Sequence, residues 1–493
     1  MSKDRSQFFV LTAVALLLML AAIDQTIVTT ALPTIVTDLG SLDQLSWIVT
    51  AYLLTSTVSA PIYGKLGDIY GRRIMMEIAI IIFLVSSLLA AIAQTMWWMI
   101  FARALQGLGG GGLFVLAFTL VGDIIPARER GKVQGLFAGV FGFSSVVGPL
   151  AGGFFVDQFT WHWIFLINLP IGLCSLLIIR LKFDLKTTAI SKRIDFTGAI
   201  LLTTVLSSLI IITSLSGEKF NIKSNLITIL LFMILTGTFL FVYNELRAIN
   251  PILPMSLFRM NNFRIYSIMG LISSCILFSI LTFIPVFLQL VKGVSPSWSG
   301  LLIIPLTIGI IIGSLFSGKI MTKTGKYKRL PSLGAVILAL GLALISKVHW
   351  TTPNTTISIY LLIAGCGLGP QLSVITTAIQ NSAPKNQMGV ATAGITLFRQ
   401  IGSSVGVAAL GSVFVSTIRA EVRENSSLNH NIFDPLNLTR EEILNLSIEQ
   451  RLLLQESFSM ALETVFIILM VLSVILFLIS LIPEEKVLET ELK

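Results

Sequence analysis

Gly64-Lys65-Leu66-Gly67-Asp68-Ile69-Tyr70-Gly71-Arg72-Arg73 is a charged turn set between two long apolar runs. An eroded second copy, Gly318-Lys319-Ile320-Met321-Thr322-Lys323-Thr324-Gly325-Lys326, follows further on. Gly64 and Gly318 are 254 positions apart, and so are Gly71 and Gly325. A charged hinge repeated at a fixed offset in a hydrophobic chain predicts two related membrane halves, and hence a transporter. Thr322 stands where the first copy has Asp68, so the turn is expected to act asymmetrically.

The composition agrees with a membrane setting. Of 493 residues, 54% are hydrophobic and 12% charged, about half the charged share of soluble domains. A bilayer can accommodate that much apolar surface. The net charge of +9 is spread over short loops, which points to positive-inside topology rather than to nucleic acid. Cys174, Cys275 and Cys366 lie in apolar runs without metal-ligand spacing or a paired framework. The three histidines, His162, His349 and His430, form no metal cluster. No nucleophile–base pairing is evident either, so an enzyme is not expected.

A span needs about 20 apolar residues. Fourteen candidates are read, at 8–37, 45–64, 74–93, 96–122, 131–155, 162–181, 196–215, 224–243, 265–290, 298–318, 330–346, 357–378, 389–415 and 457–482. With both termini cytoplasmic, inner segments hold 24 of the 34 Lys and Arg residues. All seven tryptophans (Trp47, Trp97, Trp98, Trp161, Trp163, Trp298, Trp350) then fall at outer boundaries, where an apolar ring with one N–H donor is favoured. Residues 245–264, with Pro251 and Pro254, read as a rigid inner connector. The outer loop, about 416–456, carries two capping-box patterns, Thr439 with Glu442 and Ser447 with Gln450, and predicts short helices.

Several motifs place the chain in a known group. The Gly64–Arg73 turn resembles the signature between the second and third helices of the major facilitator superfamily. Arg103, Gln106 and Gly107 resemble the fourth-helix motif of its proton-coupled members. Gly135, Gly148, Pro149, Gly152 and Gly153 resemble the glycine-rich fifth-helix motif of its exporters, with Ser144 where the fuller pattern has glycine. Asp24 followed by Ala31-Leu32-Pro33, Trp163 to Pro170, and Leu397 to Gly402 are similar to the fourteen-helix drug/proton antiporter branch. The resemblance implies an all-α membrane protein with two six-helix bundles and two extra central helices. On that basis residues 1–195 form the first bundle, 196–258 the inserted pair and connector, and 259–493 the second bundle.

The residues themselves suggest roles. Gly64, Gly67 and Gly71 allow close helix approach and a left-handed turn. Asp68 can accept from Arg72 and from helix N-terminal amides. With Arg73 alongside, the cluster reads as a latch on the inner side. Asp24 lies well inside the first span, where an ionised carboxylate is expensive. Competition there between a proton and a cationic cargo is antiport in its simplest form; a structural acid is the alternative. At 100° per residue Asp24 lies opposite the stripe Gln25, Thr26, Thr29 and Thr30, and the sequence leaves open which face lines a cavity. Arg103 keeps its charge and needs an acid or a wet cavity, as part of a proton relay or of a buried pair. Arg399 falls near mid-membrane and could bind an anionic group or pair with an acid. Glu77, Asp123 and Glu463 sit near span ends, with Glu463 a second candidate for the proton-carrying acid.

Gly109–Gly112 lies inside a span and reads as helix packing rather than a nucleotide loop. Gly148-Pro149 and Gly152-Gly153 could bend the fifth helix or serve packing alone. The expected function is proton-driven export of amphipathic, cationic, drug-like compounds across a bacterial cytoplasmic membrane. The proton gradient is the energy source, and no cofactor or metal is expected. The expected partners are a small amphipathic substrate, protons and the lipid bilayer. Alternatives are export of lipids, siderophores or amino acids by the same fold, and a receptor or scaffold that transports nothing.

Overall fold

The computed structural model describes residues 3–39, 45–182, 195–215, 225–384, 387–424, 448–484 and 487–488. The described residues form helices and no strands. The first bundle comprises α1 (Lys3–Leu39), α2 (Leu45–Tyr70), α3 (Arg72–Ala91), α4 (Met96–Ile124), α5 (Ala127–Gln158), the short α6 (Trp163–Leu166) and α7 (Asn168–Lys182). A hairpin follows, α8 (Phe196–Leu215) and α9 (Asn225–Arg247), then the short connector helix α10 (Met255–Arg259). The second bundle comprises α11 (Asn261–Leu290), α12 (Pro296–Thr324), α13 (Arg329–Ser346), α14 (Asn354–Ser382), α15 (Met388–Glu424) and α16 (Ile448–Ser480). Thirteen helical stretches among the described residues are long and apolar enough to cross a membrane. α2 is 26 residues long and adds a further helix of spanning length, with hydroxyls at Thr50, Thr55, Ser56, Thr57 and Ser59.

All backbone polar groups in a bilayer must be satisfied internally, and helices do this at every span. Side chains facing lipid stay apolar, as Phe232, Leu235 and Phe239 of α9 illustrate. Five of the seven tryptophans are exposed, while Trp161 is buried with its indole donating to Asp38 Oδ2 at 2.8 Å.

The structure corrects the opening motif. Gly64–Tyr70 is the helical end of α2, and only Gly71 stands outside helix before α3 begins. The chain reverses at that one residue because Gly71 adopts φ 96°, a region that costs glycine little. Gly325, its counterpart in the second half, closes α12 at φ 68°. Span 162–181 also differs: it breaks at Ile167 into α6 and α7. α5 runs as one helix through Pro149. The expected outer-loop helix at Thr439–Glu442 and the cap at Ser447 lie outside the described residues.

Within the first bundle α2 and α3 pack on α4, and α1 packs on α5 and α7. Within the second, α12 and α13 pack on α14, α11 on α15 and α13 on α16. Gly109 lies against the backbone of Ala79 and Phe83, and Gly111 against Ser56, so the glycine run lets α4 touch α2 and α3. Two seams join the bundles: α2 with α15, and α5 with α12. The hairpin enters at the first seam, where α8 contacts both α2 and α15.

At the Gly71 end both seams are drawn to backbone contact. A Cβ on Gly64 would lie 2.5 Å from Ala393 Cβ and 2.9 Å from Gly389 O. A Cβ on Gly318 would lie 2.7 Å from Lys132 N. Gly64→Val should therefore disfavour closure of this end by roughly 1–3 kcal/mol, the usual cost of overpacking. Spin labels at exposed Ile74 and Lys323 should report a longer distance between bundles in the variant. An unchanged distance distribution would show that this crossing does not hold the bundles together.

Candidate functional site

Three groups of polar residues stand out, and they occupy different places. The first is at the Gly71 end. Arg72 Nη2 donates to Asp68 Oδ1, and Arg72 Nε to Asp123 Oδ2 at 3.0 Å. Asp68 also accepts from the amides of Gly389 (3.1 Å) and Val390 (3.0 Å). Those amides open α15, where free N–H groups and the helix dipole favour a carboxylate. One side chain of the first bundle thus caps a helix of the second. Asp123, near the end of α4, is the second acid on Arg72. Arg73 stands apart: it bonds Glu77 at 3.0 Å and Arg180 O at 2.9 Å, tying α3 to α7. In the second copy Thr322 donates to Arg128 O at 3.0 Å, a neutral contact with the start of α5.

The second group is buried inside the first bundle. Asp24 Oδ2 accepts from Arg103 Nη1 at 2.7 Å. Asp24 Oδ1 accepts from Gln106 Nε2 at 2.8 Å and Asn168 Nδ2 at 3.0 Å. Gln106 Oε1 accepts from Arg103 Nη1 at 2.6 Å, and Ser87 Oγ accepts from Gln106 and Asn168. The guanidinium lies over the Tyr52 ring, 4.4 Å from its centroid. Asp24 is 0% and Arg103 1% exposed. A charge buried this far needs a partner and filled hydrogen bonds, and this network supplies both.

The third group lines a cavity of about 1120 Å³ between the bundles. Leu18 and Gln25 of α1, Phe114 and Phe118 of α4, and Gln134 and Phe137 of α5 form one wall. The other wall follows α15 from Thr396 to Ala420 and includes Arg399, Gln400, Ser403 and Arg419. Ile210 and Thr213 of α8 join the lining, and Thr213 shares a 2.9 Å hydroxyl bond with Ser404. Arg399 to Arg419 spans about 30 Å along the helix. The floor is closed where Thr377 bonds Gln134 (3.4 Å) and Gln380 bonds Phe118 O (2.9 Å).

The face left open by the sequence is now assigned: Gln25 looks into the cavity and Asp24 away from it, toward α4 and α7. Arg399 lines the cavity, donates to Leu372 O at 3.1 Å and makes no ion pair with a described residue. Glu463 is exposed on α16 and lies outside the cavity lining. Gly135 packs on Ser314 of α12 and Gly148 on Thr26 of α1, whereas a Cβ on Gly153 would meet nothing within 4 Å, so the motif's glycines do not act as one unit. Asn168 and Ser87 were not singled out from the sequence. The signal for Asn168 was an amide followed by Pro170 inside an apolar span; Ser87 gave none.

The profile described as Major Facilitator Superfamily matches residues 14–407. Multidrug transporter protein MdtP of Bacillus subtilis is 36% identical over 411 residues, covering 83% of this chain and 76% of that protein. An uncharacterized MFS-type transporter of Mycobacterium tuberculosis is 36% identical over 407 residues, and the match spans 83% of this chain but only 59% of that protein. Among solved structures, the human organic anion transporter MFSD10 superposes with TM-score 0.64 at 13% identity, covering 96% of this chain and 100% of that one. The proton:xylose symporter XylE gives 0.61 at 13%, covering 95% of each; both likenesses concern the fold. With two bundles, a hinge at each half and a profile match over most of its length, the chain belongs to the major facilitator superfamily, a family of membrane transporters rather than enzymes.

Proposed function

We propose that the chain is a secondary exporter of amphipathic compounds, driven by the proton gradient and working by alternating access. The observation that carries this reading is the large cavity between two bundles, sealed at the Gly71 end by Asp68 and the Gly64 crossing. A cavity closed at one end is one of the two states alternating access requires. The wall mixes aromatic rings with hydroxyls and amides, which suits cargo with both characters. Relatives named as a multidrug transporter and as efflux pumps support the direction of transport. The distribution of Lys and Arg supports a cytoplasmic Gly71 end in a bacterial inner membrane.

On this reading the Asp24–Arg103–Gln106 network is the proton site and Asp68–Arg72 the latch, with Gly64 and Gly71 permitting closure. The motifs support the fourteen-helix drug/proton antiporter branch, with units 1–195, 196–258 and 259–493. Asp24 lies off the cavity, so proton and cargo would not compete for it directly. The cationic cargo expected from Asp24 loses its support, because no described lining residue is an acid.

The variant Asp24→Asn leaves Arg103 buried without its counter-ion, at a cost of roughly 3–5 kcal/mol. It should abolish the pH-driven efflux from proteoliposomes of whichever amphipathic probe the wild type exports. The double variant Asp24→Asn/Arg103→Gln removes both charges and should remain inactive; recovered pH-driven efflux would mean the pair is only a structural staple. Asp68→Asn keeps the side chain's shape but loses the ion pair and one acceptor for α15. A cysteine at Thr377 in a background free of native cysteines should then react several-fold faster with a charged maleimide in inside-out vesicles. Equal rates would remove the latch role.

A further inference from the structure

We propose that the central cavity binds cargo through an acidic head group, a carboxylate, sulfonate or phosphate, held by Arg399. This deepens the exporter reading and rests on it for the claim that the ligand is moved.

Arg103, which is buried, and Arg399, which is half-buried, both lie deep within spanning helices and differ in one respect. Arg103 is matched by Asp24 and by Gln106. Arg399 has a single bond, from Nη2 to Leu372 O at 3.1 Å, and its Nε is buried with no hydrogen-bond partner. The neighbouring Gln400 Oε1 is also buried and unpartnered. Arg399 lies eleven residues into α15, about 17 Å along the helix, at a depth where an unmatched cation is costly. None of the described cavity-lining residues is Asp or Glu. The missing counter-charge is therefore expected from the ligand.

Guanidinium geometry narrows the ligand class. Its planar fork suits carboxylate and phosphate oxygens, two bonds at a time. A cationic head would meet the repulsion of Arg399 with only hydroxyls and amides to offset it. The rest of the molecule has a place too: Phe114, Phe118 and Phe137 line the facing wall. At about 1120 Å³ the space exceeds that of ordinary drug-sized sites. An anionic amphiphile fits both walls at once. It could come from the aqueous phase or from the bilayer, so the test carries one probe for each source.

Purified protein in neutral detergent would be titrated with glycocholate, with short-chain phosphatidylglycerol, and with ethidium as the cationic control. Wild type should bind at least one of the two anions. Arg399→Gln should weaken that binding by about tenfold or more, whereas Arg399→Lys, which keeps the charge but loses the two-bond fork, should fall between Arg399→Gln and wild type. Thr396→Glu leaves Arg399 in place and sets a carboxylate one turn away in the same cavity; it should weaken anion binding as strongly, which guards against misfolding of the first variant. Glycocholate alone bound would mark a soluble acid as the source, and phosphatidylglycerol alone a lipid. Binding of ethidium but neither anion, binding of no probe, or undiminished anion binding in Arg399→Gln or Thr396→Glu would overturn the proposal. Efflux is read separately. Anion binding without flux of any probe would sink the exporter reading and leave this site standing; pH-driven ethidium efflux without anion binding would do the reverse.

Discussion

Asp68 holds both halves of the molecule. Its carboxylate takes a guanidinium from its own bundle and two backbone amides from the other. A carboxylate with 7% side-chain exposure is tolerable only while its lone pairs are occupied. If the bundles part at this end, the α15 amides leave and water must replace them. The glycines are a precondition: with side chains at Gly64 or Gly389 the helices would stand too far apart for Asp68 to reach α15. The floor formed by Gln134, Thr377 and Gln380 lies next to this crossing and depends on the same approach.

The second half repeats the hinge but not the charge. Gly325 turns as Gly71 does, and Gly318 packs as closely on α5 as Gly64 does on α15. Yet Thr322 offers one hydroxyl to a carbonyl where Asp68 offers a carboxylate to two amides. Neutral hydrogen bonds are weaker than charge-assisted ones. The α5–α12 seam is therefore held mainly by backbone fit, and the α2–α15 seam by fit and charge together.

Much of this was legible from the chain. Apolar runs of spanning length marked the helices, and the repeated glycines marked two hinges that proved to have positive φ. That Arg103 needs an acid or a wet cavity was legible, because a lone charge is costly in lipid; that the acid is Asp24 came only from the structure. Other features were hidden for definite reasons. Helical rotation decides whether Asp24 or Gln25 faces the cavity, and a polar stripe on each face left that undecided. Asn168 enters the network because α6 ends at Leu166 and α7 begins at Asn168, a break at Ile167 that hydropathy does not record. The place of α8 beside α15 depends on a fold across nearly two hundred residues, of which Thr213 and Ser404 are the contact. The turn itself was read as longer than it is, because charge alone does not distinguish a loop from a helix end.

The separation of the buried network from the cavity constrains how coupling can work. The Asp24–Arg103 pair is matched without cargo, and the cavity is lined without Asp24. Three helices nevertheless carry residues of both: α1 with Asp24 and Gln25, α2 with Tyr52 and Leu53, and α4 with Gln106 and Phe114. On the exporter reading, a proton taken up by the network would weaken the bond between α1 and α4 and so alter the tilt of the wall that cargo touches. Cargo bound at Arg399 would act from the opposite wall, on α15, whose first turn is the one Asp68 caps. Proton and cargo would then meet through the closure of a single seam rather than by displacing one another from a shared carboxylate.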